Sequence, residues 1–209
     1  MRGLSGLLAC GALFLGAPAW ALAPEPALNV VATGTVEVVF SPWNDGEAAL
    51  LAAIDAAREQ ILVQAYLFTS KPLARALIAA HRRGVRVEVM LDAESNRPAS
   101  ASMLPDFMAA GVPVLVETRH NIAHNKVMLF DPASSRAAVA TGSYNYTRSA
   151  RIANAENLLI LRGNPALARA YLDNWLRHKA EAQLLQSLDN LPARRRKDDG
   201  REPDRATAD

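Results

Sequence analysis

Residues 61–91 read ILVQAYLFTSKPLARALIAAHRRGVRVEVML, and this stretch decides the fold class. Ile61 to Phe68 is a short apolar run with β-branched and aromatic members, the pattern of a buried strand. Pro72 then opens a helix that carries Leu73, Leu77 and Ile78 at helical spacing. Arg82, Arg83 and Gly84 supply a basic last turn and a glycine stop. Val85 to Leu91 returns as a second apolar strand. Strand, helix and strand within about thirty residues form a right-handed crossover unit.

The same alternation extends outward from this unit. Thr35 to Phe40 predicts a strand, and Glu47 to Arg58 a helix with Leu50, Leu51, Ile54 and Ala57 inward behind an Asn44-Asp45 start. Downstream, Ser102 to Ala110 predicts a short helix stopped by Gly111, and Val112 to Glu117 a strand. Lys126 to Phe130 and Arg136 to Thr141 predict a hairpin, and Asn157 to Leu161 a last strand. Asn164-Pro165 caps a final helix with Leu167, Tyr171, Leu172, Trp175 and Leu176 on its buried stripe. The expected architecture is one α/β domain over residues 35–188, a mixed but largely parallel central sheet with helices on both faces.

The flanks read differently. Residues 1–23 hold one charge, Arg2, ahead of an apolar run that ends in small-residue A-x-A patterns at Ala19–Ala21 and Ala21–Ala23. That is the layout of a secretory signal peptide, and a periplasmic or secreted protein is expected. An uncut N-terminal anchor is the alternative, since about 20 apolar residues reach across a bilayer. Cys10 is the single cysteine and lies inside this run. Once the run is removed, the chain has no thiol and no disulfide, so its fold rests on the apolar core. Residues 24–34 form an N-terminal extension, and 189–209 a charged tail without apolar periodicity, expected to be disordered. A net charge of +2 excludes polyanion binding by bulk field; any such binding must be local.

The chemistry lies in His120-Asn-Ile-Ala-His124-Asn-Lys126-Val-Met-Leu-Phe-Asp131. Two apart on a strand, His124 and Lys126 project together. An ammonium beside an imidazole suits a phosphate: one neutralises non-bridging oxygens, the other serves as nucleophile or proton carrier. Asp131 has the opposite parity and is assigned a structural or charge-orienting role. Ser143 and Asn145, two apart after Gly142, add phosphate-binding donors, and Glu156 is placed to hold the other imidazole nitrogen.

His-x-Lys-x4-Asp followed by Gly-Ser-x-Asn and a Glu eleven residues on resembles the HKD motif of the phospholipase D superfamily. The surrounding chain is similar to its small bacterial members of Nuc endonuclease type. VEVVFSP at 36–42, AIDAAREQI at 53–61, AYLFTS at 65–70, RRGVRVEVMLD at 82–92 and Asn174-Trp-Leu176 carry that likeness, over roughly residues 35–180.

The resemblance implies that His124 attacks phosphorus to give a phosphohistidine that water hydrolyses. It also implies that Lys126 and Asn145 bind non-bridging oxygens, that Ser143 and Glu156 position the site, and that no metal or other cofactor is required. One departure is that ten residues separate Asp131 from Gly142, where the family usually has six. A longer hairpin tip, away from the pocket, is the expected cause.

Larger superfamily members carry two HKD sets, whereas this chain carries one. In-line displacement needs a nucleophile on one side of phosphorus and an acid on the other. A homodimer with one composite site is therefore expected.

Nucleic acid is the leading substrate, cleaved as by an endonuclease of low sequence specificity. A phospholipid, hydrolysed as by a phospholipase D or cardiolipin hydrolase, is the alternative, and an inactive polyanion-binding module the third possibility. Arg119, Arg148 and Arg151 tilt the choice towards nucleic acid. Possible groove residues are Trp43, which stacks on substrate or packs, His120 and Arg119. His81 and His178 read as solvated helix residues, Tyr144, Tyr146 and Trp175 as core. A zinc site on His120 and His124 is not expected, since neither Cys, His nor carboxylate at ligand spacing accompanies them.

Overall fold

The computed structural model describes residues 26–192. The expected leader over 1–23 and the tail from residue 193 onward lie outside the described residues. Within them the order is β1 (Thr35–Ser41), α1 (Gly46–Ala56), β2 (Gln60–Ala65), α2 (Lys71–Arg82), β3 (Arg86–Asp92), α3 (Leu104–Ala109) and β4 (Val114–Glu117). There follow β5 (Lys126–Phe130), β6 (Ala138–Gly142), α4 (Arg148–Ile152), β7 (Glu156–Arg162), α5 (Pro165–Glu181) and β8 (Gln183–Leu184). Leu188–Asn190 forms a single 3₁₀ turn at the start of the predicted tail.

All eight strands join one mixed sheet in the order β1-β7-β6-β5-β2-β3-β4-β8. Parallel pairing is confined to β2-β3 and β3-β4. The other five pairings are antiparallel, so "largely parallel" is corrected. The apolar runs report burial, which is the same for either strand direction. What sets the direction is the chain's entry into β5, which runs back against β2 with Ala65 opposite Lys126.

Helices cover both faces, as expected, but unequally. Leu50 and Ile54 of α1, Leu73 and Leu77 of α2, and Leu104 and Phe107 of α3 bury against Val63, Val89 and Met128 on one side. On the other, Trp175 and Ala168 of α5 bury against Leu62, Met90, Leu115, Leu129 and Val139. Each fully buried Leu or Ile contributes about 1.5–3 kcal/mol of transfer free energy. Tyr144 and Tyr146 are buried, as expected. Leu176 is exposed, a correction to the expected stripe, because α5 turns Ala168 and Trp175, with Tyr171 and Leu172 beside them, towards the sheet.

Element ends follow local hydrogen bonding. Asp45, Ser70, Thr147 and Asn164 cap α1, α2, α4 and α5 by accepting from Ala48, Leu73, Ala150 and Leu167 N–H. Helix α1 stops at Ala56, two residues short of its predicted end, since the Arg58 N–H is donated to the Asp131 carboxylate. Strand β2 ends at Ala65, because Asn96 then takes over: its Oδ1 accepts from Phe68 N–H and its Nδ2 donates to Tyr66 O.

Candidate active site

The register gathers the motif at one end of the sheet. The start of β5, the end of β6, the start of β7 and the ends of β1 and β2 all lie there, through Ala65 opposite Lys126, Gly142 opposite Leu158 and Ser41 opposite Glu156. His124 precedes β5 and is exposed, while Lys126 is buried as the first strand residue. Lys126 Nζ donates to His124 O at 2.8 Å. Tyr66, just past β2, joins the two: its ring centre is 4.5 Å from that of His124 and 4.9 Å from Lys126 Nζ. Sequence reasoning missed Tyr66, because its partners come from a strand sixty residues away.

Lys126 sits below its ordinary pKa because burial penalises the ammonium, with the Glu156 charge opposing that shift. Ser143 Oγ donates to Glu156 Oε2 at 2.6 Å, and Asn154 Nδ2 donates to Glu156 Oε1 at 2.9 Å. Among the described residues the Glu156 carboxylate thus bonds to polar side chains of the β6–β7 connection rather than to His124, whose ring meets Tyr66 instead. Gly142 permits the turn. A Cβ there would lie 2.3 Å from Asn157 O, the carbonyl that accepts both Ser143 and Tyr144 N–H. Asn145 follows on the same loop, its Oδ1 buried without a hydrogen-bond partner among the described residues.

Asp131 belongs to the opposite end of β5, away from His124 and Lys126, in keeping with the structural or charge-orienting role expected from its parity. Its carboxylate accepts from the Arg58, Glu59 and Gln60 N–H groups at 2.7–3.2 Å and lies 3.7 Å from Arg136 Nε. Burial pushes its carboxyl up, but these backbone donors and Arg136 outweigh it, and the net pKa is lowered.

The groove residues separate. Trp43 is 81% exposed just past the end of β1, which leaves it unpacked in this chain. His120 turns to Glu117, with Nδ1 3.5 Å from Oε2, and is not gathered with His124. Arg119 pairs with Glu181, and Arg151 with Asp45 and Glu47. Two of the three arginines counted towards nucleic acid are therefore taken up by carboxylates, while Arg148 is exposed at the start of α4. His178 is no solvated residue: its Nδ1 lies 2.8 Å from Glu117 Oε2.

A mixed α/β sheet that sets an exposed imidazole beside a desolvated ammonium, with a Ser–Glu pair alongside, is chemically suited to a phosphate ester. The family model described as cardiolipin synthase, PLD-like domain, matches residues 50–178, and the chain belongs to this phospholipase D family of phosphodiesterase hydrolases. A phospholipase D of Rickettsia felis is 39% identical over 145 residues, covering 69% of this chain and 70% of that one. A mitochondrial cardiolipin hydrolase of Xenopus laevis is 34% identical over 65% of this chain and 67% of its own. Among solved structures, the phospholipase D family member Nuc from Salmonella typhimurium aligns at a TM-score of 0.67 and 30% identity, over 74% of this chain and all of that one.

Proposed function

We propose that this chain is an exported, metal-independent endonuclease of low sequence specificity that works as a homodimer. The observation that carries the reading is the convergence of His124, Lys126, Ser143 and Glu156 at one sheet end. The His124 imidazole attacks phosphorus in line, so a P–N bond forms as the bond to the leaving oxygen breaks. A protonated His124 of the partner subunit gives its proton to that oxygen. Water, deprotonated by the same partner imidazole, then attacks phosphorus; the P–N bond breaks and His124 is regenerated.

Lys126 and Asn145 hold the non-bridging oxygens. Lys126 enters this role already desolvated, which strengthens its attraction to charge that builds up in the transition state. Ser143 and Glu156 fix the positions of these groups. Exposed Phe40, Trp43, Ile122 and Ile152 border this end of the sheet and offer an apolar surface for the second copy. Export rests on the apolar run of residues 1–23.

A second reading keeps the same residues and takes a phospholipid as substrate. The exposed Ile122, two residues before His124, and the exposed Trp43 past the end of β1 favour it, as do the names of the Rickettsia and Xenopus relatives.

The deciding experiment is plasmid cleavage by the purified protein in excess EDTA, with His124→Ala alongside and a fluorescent phosphatidylcholine in parallel. Nicking that survives EDTA and vanishes in the variant supports the endonuclease. Lipid turnover with intact DNA moves the protein to the phospholipase reading, and silence on both brings forward the inactive binding module. A fully active monomer in analytical ultracentrifugation overturns the composite site.

A further inference from the structure

The structure brings together three groups that phosphodiester hydrolysis does not use. Glu117 ends β4, His120 lies three residues on, and His178 comes from the last turn of α5. One ligand atom from each falls within 4.8 Å of the others, and the two imidazole centres are 5.2 Å apart. We propose that Glu117, His120 and His178 form a binding site for a divalent transition-metal ion of zinc type, separate from the phosphodiester centre.

Four features support this assignment. Two imidazoles and one carboxylate are a donor set that zinc accepts, with bonds of about 2.0–2.2 Å, and Glu117 Oε2 already lies 3.5 Å from His120 Nδ1 and 2.8 Å from His178 Nδ1. The Glu117 carboxylate is buried and pre-oriented: Gln64 Nε2, itself buried, donates to Oε1 at 2.6 Å and leaves Oε2 towards both rings. Outer partners of this kind fix ligating carboxylates. The site also sits at the C-terminal end of a 17-residue helix, where the backbone dipole favours a cation. Finally, Glu117 and His120 line a small cleft together with Asp92, Glu94, Thr118, Asn121 and Arg97, the last paired with Glu94, and this cleft gives a fourth ligand such as water a route to the ion.

The separation from the first site follows from the sheet. Glu117 shares the α5 face with Leu115, whereas Lys126 shares the opposite face with Met128, and three inter-strand steps lie between them. The two sites nevertheless share the β4–β5 loop, which carries both His120 and His124. A bound ion would pin the base of that loop to α5.

The test uses the full chain without a polyhistidine tag and two probes, Zn²⁺ and Co²⁺. One ion per chain is expected, with a hundredfold excess of Zn²⁺ over Kd raising Tm by roughly 5–10 °C. Co²⁺ is expected to give the strong visible absorption of a four-coordinate ion. Both signals should be lost in His120→Ala and His178→Gln and kept in His124→Ala. His120 is about half exposed on a loop, so its variant decides the matter if the His178 variant does not fold. A Tm that does not respond to Zn²⁺, signals unchanged in the His120 variant, or signals lost in His124→Ala each overturn the proposal.

Discussion

The two ends of β5 carry the two halves of one motif and are built on opposite terms. At the Lys126 end, an ammonium is buried with a carbonyl and an aromatic face for partners, and an imidazole is left exposed. At the Asp131 end, a carboxylate is equally buried but receives three backbone N–H groups and faces an arginine. Five residues apart, one group is held short of the interactions its charge demands and the other is saturated. The undersatisfied end is the one that has something left to offer a phosphate.

That contrast is open to attack from each side. His124→Ala should lower turnover by about 10³-fold or more while leaving Tm within a degree or two, since the ring is exposed. Residual activity near wild type would remove His124 from the chemistry. Lys126→Met should cost about 10²–10³-fold in kcat. Its effect on stability should run the other way. The folded-state pKa of Lys126 is depressed, so between that value and the ordinary lysine range the unfolded chain binds more protons. The charge therefore opposes folding at neutral pH, and this opposition fades as pH rises through the lowered value. Tm for Lys126→Met should equal or exceed that of the wild type, read by thermal melts across neutral and alkaline pH.

Asp131→Ala should do the reverse. Orphaning three partly buried N–H groups is expected to cost about 2–4 kcal/mol, a Tm loss of roughly 5–12 °C, with kcat of the folded protein nearly unchanged. Because the carboxyl's folded-state pKa is lowered, its contribution is present above the ordinary aspartate range and is lost as pH falls through the folded value. The gap in Tm between wild type and variant should accordingly close in acid. A drop in kcat as deep as that of Lys126→Met would abolish the distinction between the two ends. The smallest effect is expected from Ser143→Ala, which removes one charge-assisted bond to Glu156 and should slow turnover about tenfold.

Most elements were legible before the structure because local patterns define them. The crossover unit of residues 61–91, the Asp45 and Asn164 caps and the hairpin all appear within a few residues of their predicted bounds. Strand direction was not, since a run such as VMLF at 127–130 is apolar whichever way its neighbour points. Helix α4 is five residues long and strand β8 two, too short to show a period. Within the site, His124 and Lys126 were readable from adjacency. Tyr66 and the Glu117–His178 contact were not: each joins positions at least fifty residues apart, across strands or between sheet and helix. His178, flanked by Arg177 and Lys179, looked like a solvated face, and only packing turned it inward.

The Asp131 clamp has a bearing on how this protein can change. By bolting β5 to the start of β2, it insulates the strand's register from whatever follows, and the tip from Pro132 to Ala137 becomes free to drift in length. Ten residues, Pro132 to Thr141, span the distance from Asp131 to Gly142. The same tip is a natural grafting point: a peptide epitope or a fluorophore-bearing loop can be spliced there while the far end of the strand keeps its lysine in place.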